Sequence, residues 1–117
     1  PERTFPHYNA AKAAQWNLTK TLSKALGRDG ILVNSVSPGL ILTPGVMASF
    51  EAGAKTQNRP LKDVQDDFFR KFKPGLVIRR GGLGEEVAAV VTFLASERAS
   101  YVTGANYPVD GGQVGAL

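Results

Sequence analysis

The chain has 117 residues and a mass of 12.5 kDa, enough for one domain, and its 43% hydrophobic and 21% charged residues are typical of a folded globular protein. It has no cysteine and one histidine, so we expect no disulfide and no metal site, and its apolar runs are too short to span a membrane. The net charge of +4 comes without a dense basic run, which argues against nucleic acid as a partner.

A helix and a strand are predicted in the first third of the chain. Residues 8–27 place alanine and leucine at steps of three and four, which is the helical period, and glycines end the pattern. Residues 31–37 are rich in β-formers and bounded by glycine and proline, which predicts a strand buried on both faces of a parallel sheet. Because the helix begins so soon after Pro1, we interpret the chain as part of a longer protein or as a processed product.

Loops and two further helices are predicted before a closing strand. Residues 38–60 contain three prolines and three glycines, which predicts a loop with one short helix around 46–54. Leu61 begins an amphipathic helix that stops at Pro74, and Glu85 lies in the first turn of another helix. A short strand over 105–109 follows. This order predicts an α/β fold, and because two strands do not form an independent sheet, we expect further strands.

Tyr8 and Lys12 form the first candidate catalytic pair. They lie four residues apart on the predicted helix, so their side chains share one face. A phenol has an unperturbed pKa of about 10 and needs a nearby cation to act as an acid or base near neutral pH. A lysine one turn away supplies that charge. The same spacing also occurs in ordinary surface contacts, so the pair alone leaves both interpretations open.

Three other segments invite interpretation. Asn34–Pro44 ends a hydrophobic strand at Pro-Gly, where ligands of open α/β sheets bind, although an ordinary strand-to-loop turn explains it as well. For Tyr101–Gly104 with Val109–Gly112 we favour an edge strand with tight turns. For Arg79-Arg80 we favour a solvated pair over an anion contact.

These motifs together resemble the C-terminal half of the short-chain dehydrogenase/reductase family, over nearly all of residues 6–113. The segments that carry the resemblance, in the family's order, are Tyr8–Ala14, Ile31–Pro44, Gly82–Ala88, and Thr103-Gly104 with Val109–Gly112. The resemblance implies an α/β fold with a Rossmann-like doubly wound parallel sheet. Residues 1–117 would then form only the C-terminal portion of one NAD(P)-binding domain.

The resemblance also implies an activity and a set of site residues. It implies hydride transfer between NAD or NADP and a secondary alcohol or ketone, for example as a 3-oxoacyl-type reductase. Tyr8 would be the acid or base, and Lys12 would stabilise its phenolate and hold the ribose hydroxyls. The residues implied to bind the cofactor are Tyr8, Lys12, Pro38, Gly39, Ile41 and Thr43.

Residues 44–75 would form a lid over the substrate. Its apolar members either favour an apolar or partly apolar substrate or simply form the core of the lid: Val46, Met47, Phe50, Phe68, Phe69 and Phe72. The partners we expect are a small carbonyl or alcohol substrate and a second copy of the chain in a homodimer or homotetramer, in the cytoplasm. Trp16 would lie at a subunit contact or pack on its own sheet.

The sequence also departs from the family pattern. The family's Gly-rich phosphate loop, its Asn-Ala-Gly segment and its catalytic serine are not found among these residues. We therefore expect the 117-residue chain alone to be inactive and the activity to belong to a longer protein. The alternative is a non-catalytic, truncated member of the family that serves only as an oligomerisation or structural module.

Overall fold

The computed structural model describes residues 5–113, which divide into two compact units. The first unit comprises the chain up to Val36 together with Val91–Tyr107, and the second comprises Ser37–Val90 together with the residues from Pro108 onward. The elements in chain order are α1 (Pro6–Leu26), a 3₁₀ helix (Gly27–Asp29), β1 (Ser35–Pro38), α2 (Pro44–Gln57), α3 (Leu61–Phe72), α4 (Gly84–Leu94), a second 3₁₀ helix (Glu97–Ala99) and β2 (Asn106–Val109).

The two described strands, β1 and β2, pair in parallel. The Ser35 amide donates to the Ala105 carbonyl at 2.9 Å, and the Gly39 amide donates to the Val109 carbonyl at 3.0 Å. The two bonds advance in the same direction along both strands, as parallel pairing requires. The carboxyl ends of β1 and β2 therefore lie at the same edge of the sheet.

The predicted strand over 31–37 was wrong in its start and in its burial. Regular pairing begins only at Ser35, and β1 is at most half-buried. Before Ser35, backbone and side-chain bonds alternate: the Val33 carbonyl accepts from the Gly104 amide at 2.7 Å, and the Val33 amide donates to the Thr103 hydroxyl at 3.0 Å. The Asn34 amide group donates to the Val102 carbonyl at 2.7 Å, and its oxygen accepts from the Ala105 amide at 3.1 Å. These side-chain bonds to a segment distant in the chain take positions where a regular strand would make backbone bonds.

Helix α2 is longer than the short helix predicted around 46–54. Thr43 caps it, because the Thr43 hydroxyl accepts a hydrogen bond from the Val46 amide at 3.3 Å. Pro44 lies in the first turn, where the missing amide hydrogen costs nothing. Asn58 ends the helix in the left-handed conformation, with φ at 49°. Proline here marks the start of a helix and not a loop.

The second unit contains an apolar core between α2, α3 and the segment that follows α3. Phe50, Phe69 and Leu76 are buried in it. The partly buried residues that pack against them are Leu40, Leu42, Val46, Leu61, Val64 and Phe68. The Phe50 and Phe68 rings meet edge to face with centroids 5.2 Å apart, a favoured aromatic geometry.

The first unit buries little apolar surface within the described residues. Its buried side chains there are those of Ser23 and Ala99. Helix α1 instead exposes apolar side chains around much of its circumference, including Trp16 at 44% and Leu18 at 54%. A helix exposed in this way gains little free energy from packing within the described part of the chain.

We predict that Gly104→Ala destabilises the protein by about 1–2 kcal/mol. Gly104 has a φ of +69°, and an added methyl group would meet the Ser23 hydroxyl and lie 3.0 Å from the Lys20 side chain. Gly27→Ala is the matched control, because Gly27 is right-handed with φ at −61° and has open space around it. Urea unfolding should show a loss for Gly104→Ala and no loss for Gly27→Ala. Equal stabilities for the two variants would contradict the prediction.

Candidate functional site

Tyr8 and Lys12 lie together near the start of α1. The Lys12 Nζ is 5.5 Å from the centroid of the Tyr8 ring and donates to Gln15 Oε1 at 3.0 Å. The Tyr8 side chain is 56% exposed, so its hydroxyl is accessible. One helical turn thus places an ammonium beside an accessible phenol. The arrangement brings a phenol, which can donate or accept a proton, into cation–π contact with an ammonium.

The loop after β1 is held by backbone pairing with Gly82. Ile41 and Gly82 form a parallel bridge. The Leu42 amide donates to the Gly82 carbonyl at 2.8 Å, and the Gly82 amide donates to the Leu40 carbonyl at 2.9 Å. A Cβ added at Gly82 would lie 2.8 Å from Ile41 Cδ1, so a side chain there would displace the end of the Ile41 side chain. Residues 38–43 therefore have a defined course.

Gly39 has a structural role that the sequence did not predict. A Cβ on Gly39 would lie 2.8 Å from Asp110 Cα and 2.9 Å from Asp110 Cβ. Real Cβ atoms do not approach a backbone atom this closely, so Gly39 is required for the loop after β1 to pack on the segment after β2. The packing partner of Gly39 in this structure is Asp110. The predicted contact with a nicotinamide stays a prediction.

The predicted cofactor residues fall into two groups. Tyr8 and Lys12 belong to the first compact unit, whereas the loop from Pro38 to Thr43 belongs to the second. The structure brings the members of each group together. The Thr43 hydroxyl oxygen accepts the hydrogen bond that caps α2, and the hydroxyl hydrogen can still be donated to another group.

The aromatic residues of the predicted lid point largely into its own core. Phe50 and Phe69 are buried, and Phe68 is partly buried between them. Phe72 differs, because 58% of it is exposed and its ring centroid lies 5.4 Å from that of Phe68. Of the two interpretations of these aromatics, the lid core accounts for Phe50 and Phe69.

Arg80 forms an ion pair with Glu86 at the start of α4. The Arg80 guanidinium donates to both carboxylate oxygens, at 2.9 and 2.6 Å. Glu86 Oε2 also accepts from the Leu83 amide at 2.8 Å, which caps the helix. The Arg80 guanidinium, followed by the Leu83 amide, lowers the pKa of the Glu86 carboxyl to about 2. The Arg80 side chain is 51% exposed while a carboxylate of the same chain binds it, so Arg80 is both solvated and in contact with an anion.

A cavity of about 310 Å³ lies in the second unit behind the loop after β1. Leu40, Leu76 and Ile78 form part of its apolar wall, and the Arg80–Glu86 pair and the turn after β2 also line it.

No helix in residues 5–113 has both the length and the apolar character that crossing a membrane requires. In the same residues, no three acidic or histidine side chains lie close enough to bind a metal ion.

Comparison with known proteins identifies the family. A family model described as enoyl-(acyl carrier protein) reductase matches residues 2–113. Meso-2,3-butanediol dehydrogenase of Serratia marcescens is 41% identical over 106 residues, which are 91% of this chain and 36% of that protein. The chain belongs to the short-chain dehydrogenase/reductase family.

Solved structures agree with this assignment. L-sorbose reductase from Gluconobacter frateurii, complexed with NADPH and L-sorbose, matches 96% of this chain and 41% of its own with a TM-score of 0.78 and 38% identity. A 4-hydroxyisoleucine dehydrogenase complexed with NADH matches 94% of this chain and 39% of its own with a TM-score of 0.66 and 27% identity. The predicted α/β, Rossmann-type fold class is confirmed. The chain spans about two fifths or less of the length of these relatives.

We predict that Glu86→Gln removes a pH-dependent part of the stability. The pKa of Glu86 is lowered in the folded state from 4.5 to about 2, so the ion pair stabilises the fold fully above pH 4.5 and loses that effect as the pH falls towards 2. The difference in urea midpoint between the unsubstituted protein and Glu86→Gln should therefore shrink over this range.

Glu85→Gln is the matched control, because Glu85 lies in the same first turn of α4 and makes no ion pair in the described structure. Its midpoint difference should change much less between pH 4.5 and 2. A Glu86→Gln difference that is constant with pH would show that the ion pair does not stabilise the fold.

Proposed function

We propose that the protein containing this chain is an NAD(P)-dependent oxidoreductase that interconverts a secondary alcohol and a ketone. The observation that carries the proposal is the Tyr8–Lys12 pair on α1, with the ammonium 5.5 Å from the phenol ring, in a chain of the short-chain dehydrogenase/reductase family. The relatives support it, since one is a butanediol dehydrogenase and another is a sorbose reductase complexed with NADPH.

The donor groups of the predicted site suit a nicotinamide cofactor. The Lys12 ammonium can donate to ribose hydroxyls, and the Thr43 hydroxyl at the start of α2 can donate to a carboxamide or pyrophosphate oxygen. Pro38, Gly39 and Ile41 offer backbone at the carboxyl end of β1, where such ligands bind in open α/β sheets. When bound, the cofactor supplies or accepts the hydride.

The residues of the chain would manage the proton. In reduction, Tyr8 Oη donates its proton to the carbonyl oxygen of the substrate, and in oxidation it takes the proton from the hydroxyl. Lys12 stabilises the phenolate that Tyr8 becomes after donation. It also fixes the position of the ribose relative to Tyr8. Residues 44–75 would cover the substrate, and Phe72 is the most exposed of their aromatic side chains.

A second candidate is a non-catalytic module of the same family. It would serve oligomerisation or structure, and it is favoured by α1, which exposes apolar side chains such as Trp16 and Leu18. On the main proposal, the chain by itself is inactive and residues outside it complete the cofactor site. The two candidates differ in whether the full-length protein turns over at all.

We predict that Tyr8→Phe in the full-length protein lowers turnover by about 10²–10⁴-fold and leaves NAD(P)H affinity almost unchanged. The substitution deletes the transferable proton and little volume. Lys12→Ala should lower both turnover and cofactor affinity, because one ammonium serves both. Steady-state rates and NAD(P)H fluorescence titration measure the two effects.

Tyr101→Phe and Lys24→Ala are the matched controls. Tyr101 is completely exposed in a turn, and Lys24 lies in the last turn of α1, away from the predicted pair. Both controls should retain activity. A Tyr8→Phe protein with half of its activity would mean that the Tyr8–Lys12 pair is structural.

We also propose that the protein forms a homodimer or homotetramer through α1. The helix exposes apolar and small side chains well beyond one stripe, which indicates more than one covering surface. They include Ala14, Trp16 and Leu18. Closed, two-fold assemblies are the commonest way for such a surface to be covered.

We predict that Trp16→Glu and Ala14→Glu shift the assembly towards monomers in light scattering at micromolar concentration. Each places a carboxylate where apolar surface would be buried, and an unpaired buried charge is unfavourable. Ala52→Glu, at an exposed position of α2, is the control and should leave the assembly unchanged. If the full-length protein is already monomeric, or if neither α1 variant changes its mass, α1 is not the interface.

A further inference from the structure

The turn that follows β2, Asp110–Gln113, contacts the loop after β1 directly. We call it the closing turn. The Gly39 amide donates to Val109, immediately before the turn, at 3.0 Å. Gly39 is also packed so tightly on Asp110 that a methyl group in its place would lie 2.8 Å from Asp110 Cα. Any shift of Asp110 must therefore move Gly39 or break this contact.

The same turn contacts the segment after α3 on its other side. The Ile78 amide donates to the Gly111 carbonyl at 3.2 Å. A Cβ on Gly111 would lie 2.9 Å from Leu76 Cδ1, and one on Gly112 would lie 3.0 Å from Val77 Cγ2. We call residues 75–78 the lid exit, because they follow the predicted lid. The lid exit and the closing turn are thus in close contact over several residues.

Two hydrogen bonds within the closing turn join Asp110 to the residues that follow it. The Gln113 amide donates to the Asp110 carbonyl at 3.2 Å, and the Gly112 amide donates to Asp110 Oδ1 at 3.0 Å. Gly111 and Gly112 are both left-handed, with φ at 64° and 78°, a conformation that a residue with a side chain adopts only with strain. A side chain at either position would strain the turn, which contacts Gly39 through Asp110 and the lid exit through its two glycines.

We infer that the closing turn is a positioning element that couples the predicted cofactor loop, residues 38–43, to the exit of the predicted lid. Gly39 and Gly111 are the positioning residues, acting through Asp110 and Leu76. The inference rests on the proposed function only for the names cofactor loop and lid. The physical coupling between Gly39 and Ile78 stands on the contacts alone. A movement of the lid exit displaces the turn, and the turn displaces the loop.

Amide hydrogen exchange on the full-length protein tests the coupling in both directions. Gly39→Ala should speed exchange of the Ile78 amide, which Gly39 does not bond, and Gly111→Ala should speed exchange of the Gly39 amide. We expect at least about twofold in each direction, the lower end of coupling between residues in contact. If Gly111→Ala does not fold, Val77→Ala removes the side chain against Gly112 and should have the same effect on Gly39.

Two controls separate coupling from general loss of stability. Gly84→Ala lies in the same unit in open space and should change neither amide. Gly104→Ala, at a comparable loss of stability, should not selectively affect Gly39 and Ile78. Variants of Gly39 and Gly111 that change exchange only on their own side of the turn would overturn the inference.

A second measurement concerns the cofactor. In the full-length protein, Gly111→Ala should raise the Kd for NADH or NADPH at least about twofold, while Gly84→Ala leaves it unchanged. An unchanged Kd would overturn the positioning role towards the cofactor. If the unsubstituted protein binds neither nucleotide, the proposed function fails, and the exchange experiment still decides whether the closing turn couples its two neighbours.

Discussion

The parallel pairing of β1 with β2 is the constraint on which the rest of the second unit depends. Because the strands run in the same direction, both end at one edge of the sheet, and the segments that follow them emerge side by side. Gly39 and Asp110 meet there only because Gly39 has no side chain. Asp110 belongs to the closing turn and lines the cavity, and Leu76 and Ile78 of the lid exit line it as well.

Local patterns made several features predictable from the sequence. The helical period placed Tyr8 and Lys12 on one face of α1, and the amphipathic spacing placed α3 from Leu61 almost to its observed end. Such patterns depend on residues three or four apart, so neighbours alone determine them. The α/β class followed from the order of the elements, and the comparisons confirm it. The roles of the predicted site residues stay predictions.

The features that the sequence did not predict depend on residues far apart in the chain or on caps. The start of β1 is set by the Asn34 side chain, which donates to the Val102 carbonyl, and by the Thr103 hydroxyl, which accepts from the Val33 amide. Each bond spans about seventy residues of the chain. The Arg80–Glu86 pair joins a loop to a helix, and no Ser or Thr cap at the start of that helix indicates the contact in the sequence. From the sequence alone Pro44 predicts a loop, because the advantage of proline in a first turn is recognised only once Thr43 is known to cap the helix.

The loop after β1 is held on two sides by backbone. Gly82 pairs with the middle of the loop through two backbone hydrogen bonds, and Asp110 packs on Gly39 at the start of the loop. Glu86 in turn holds the residues on both sides of Gly82, because its carboxylate binds the Arg80 guanidinium and the Leu83 amide. The course of the loop thus needs few polar side chains of its own, apart from the Thr43 cap. A loop supported in this way can present backbone groups and one hydroxyl to a ligand, and it loses little conformational entropy on binding because it is already ordered.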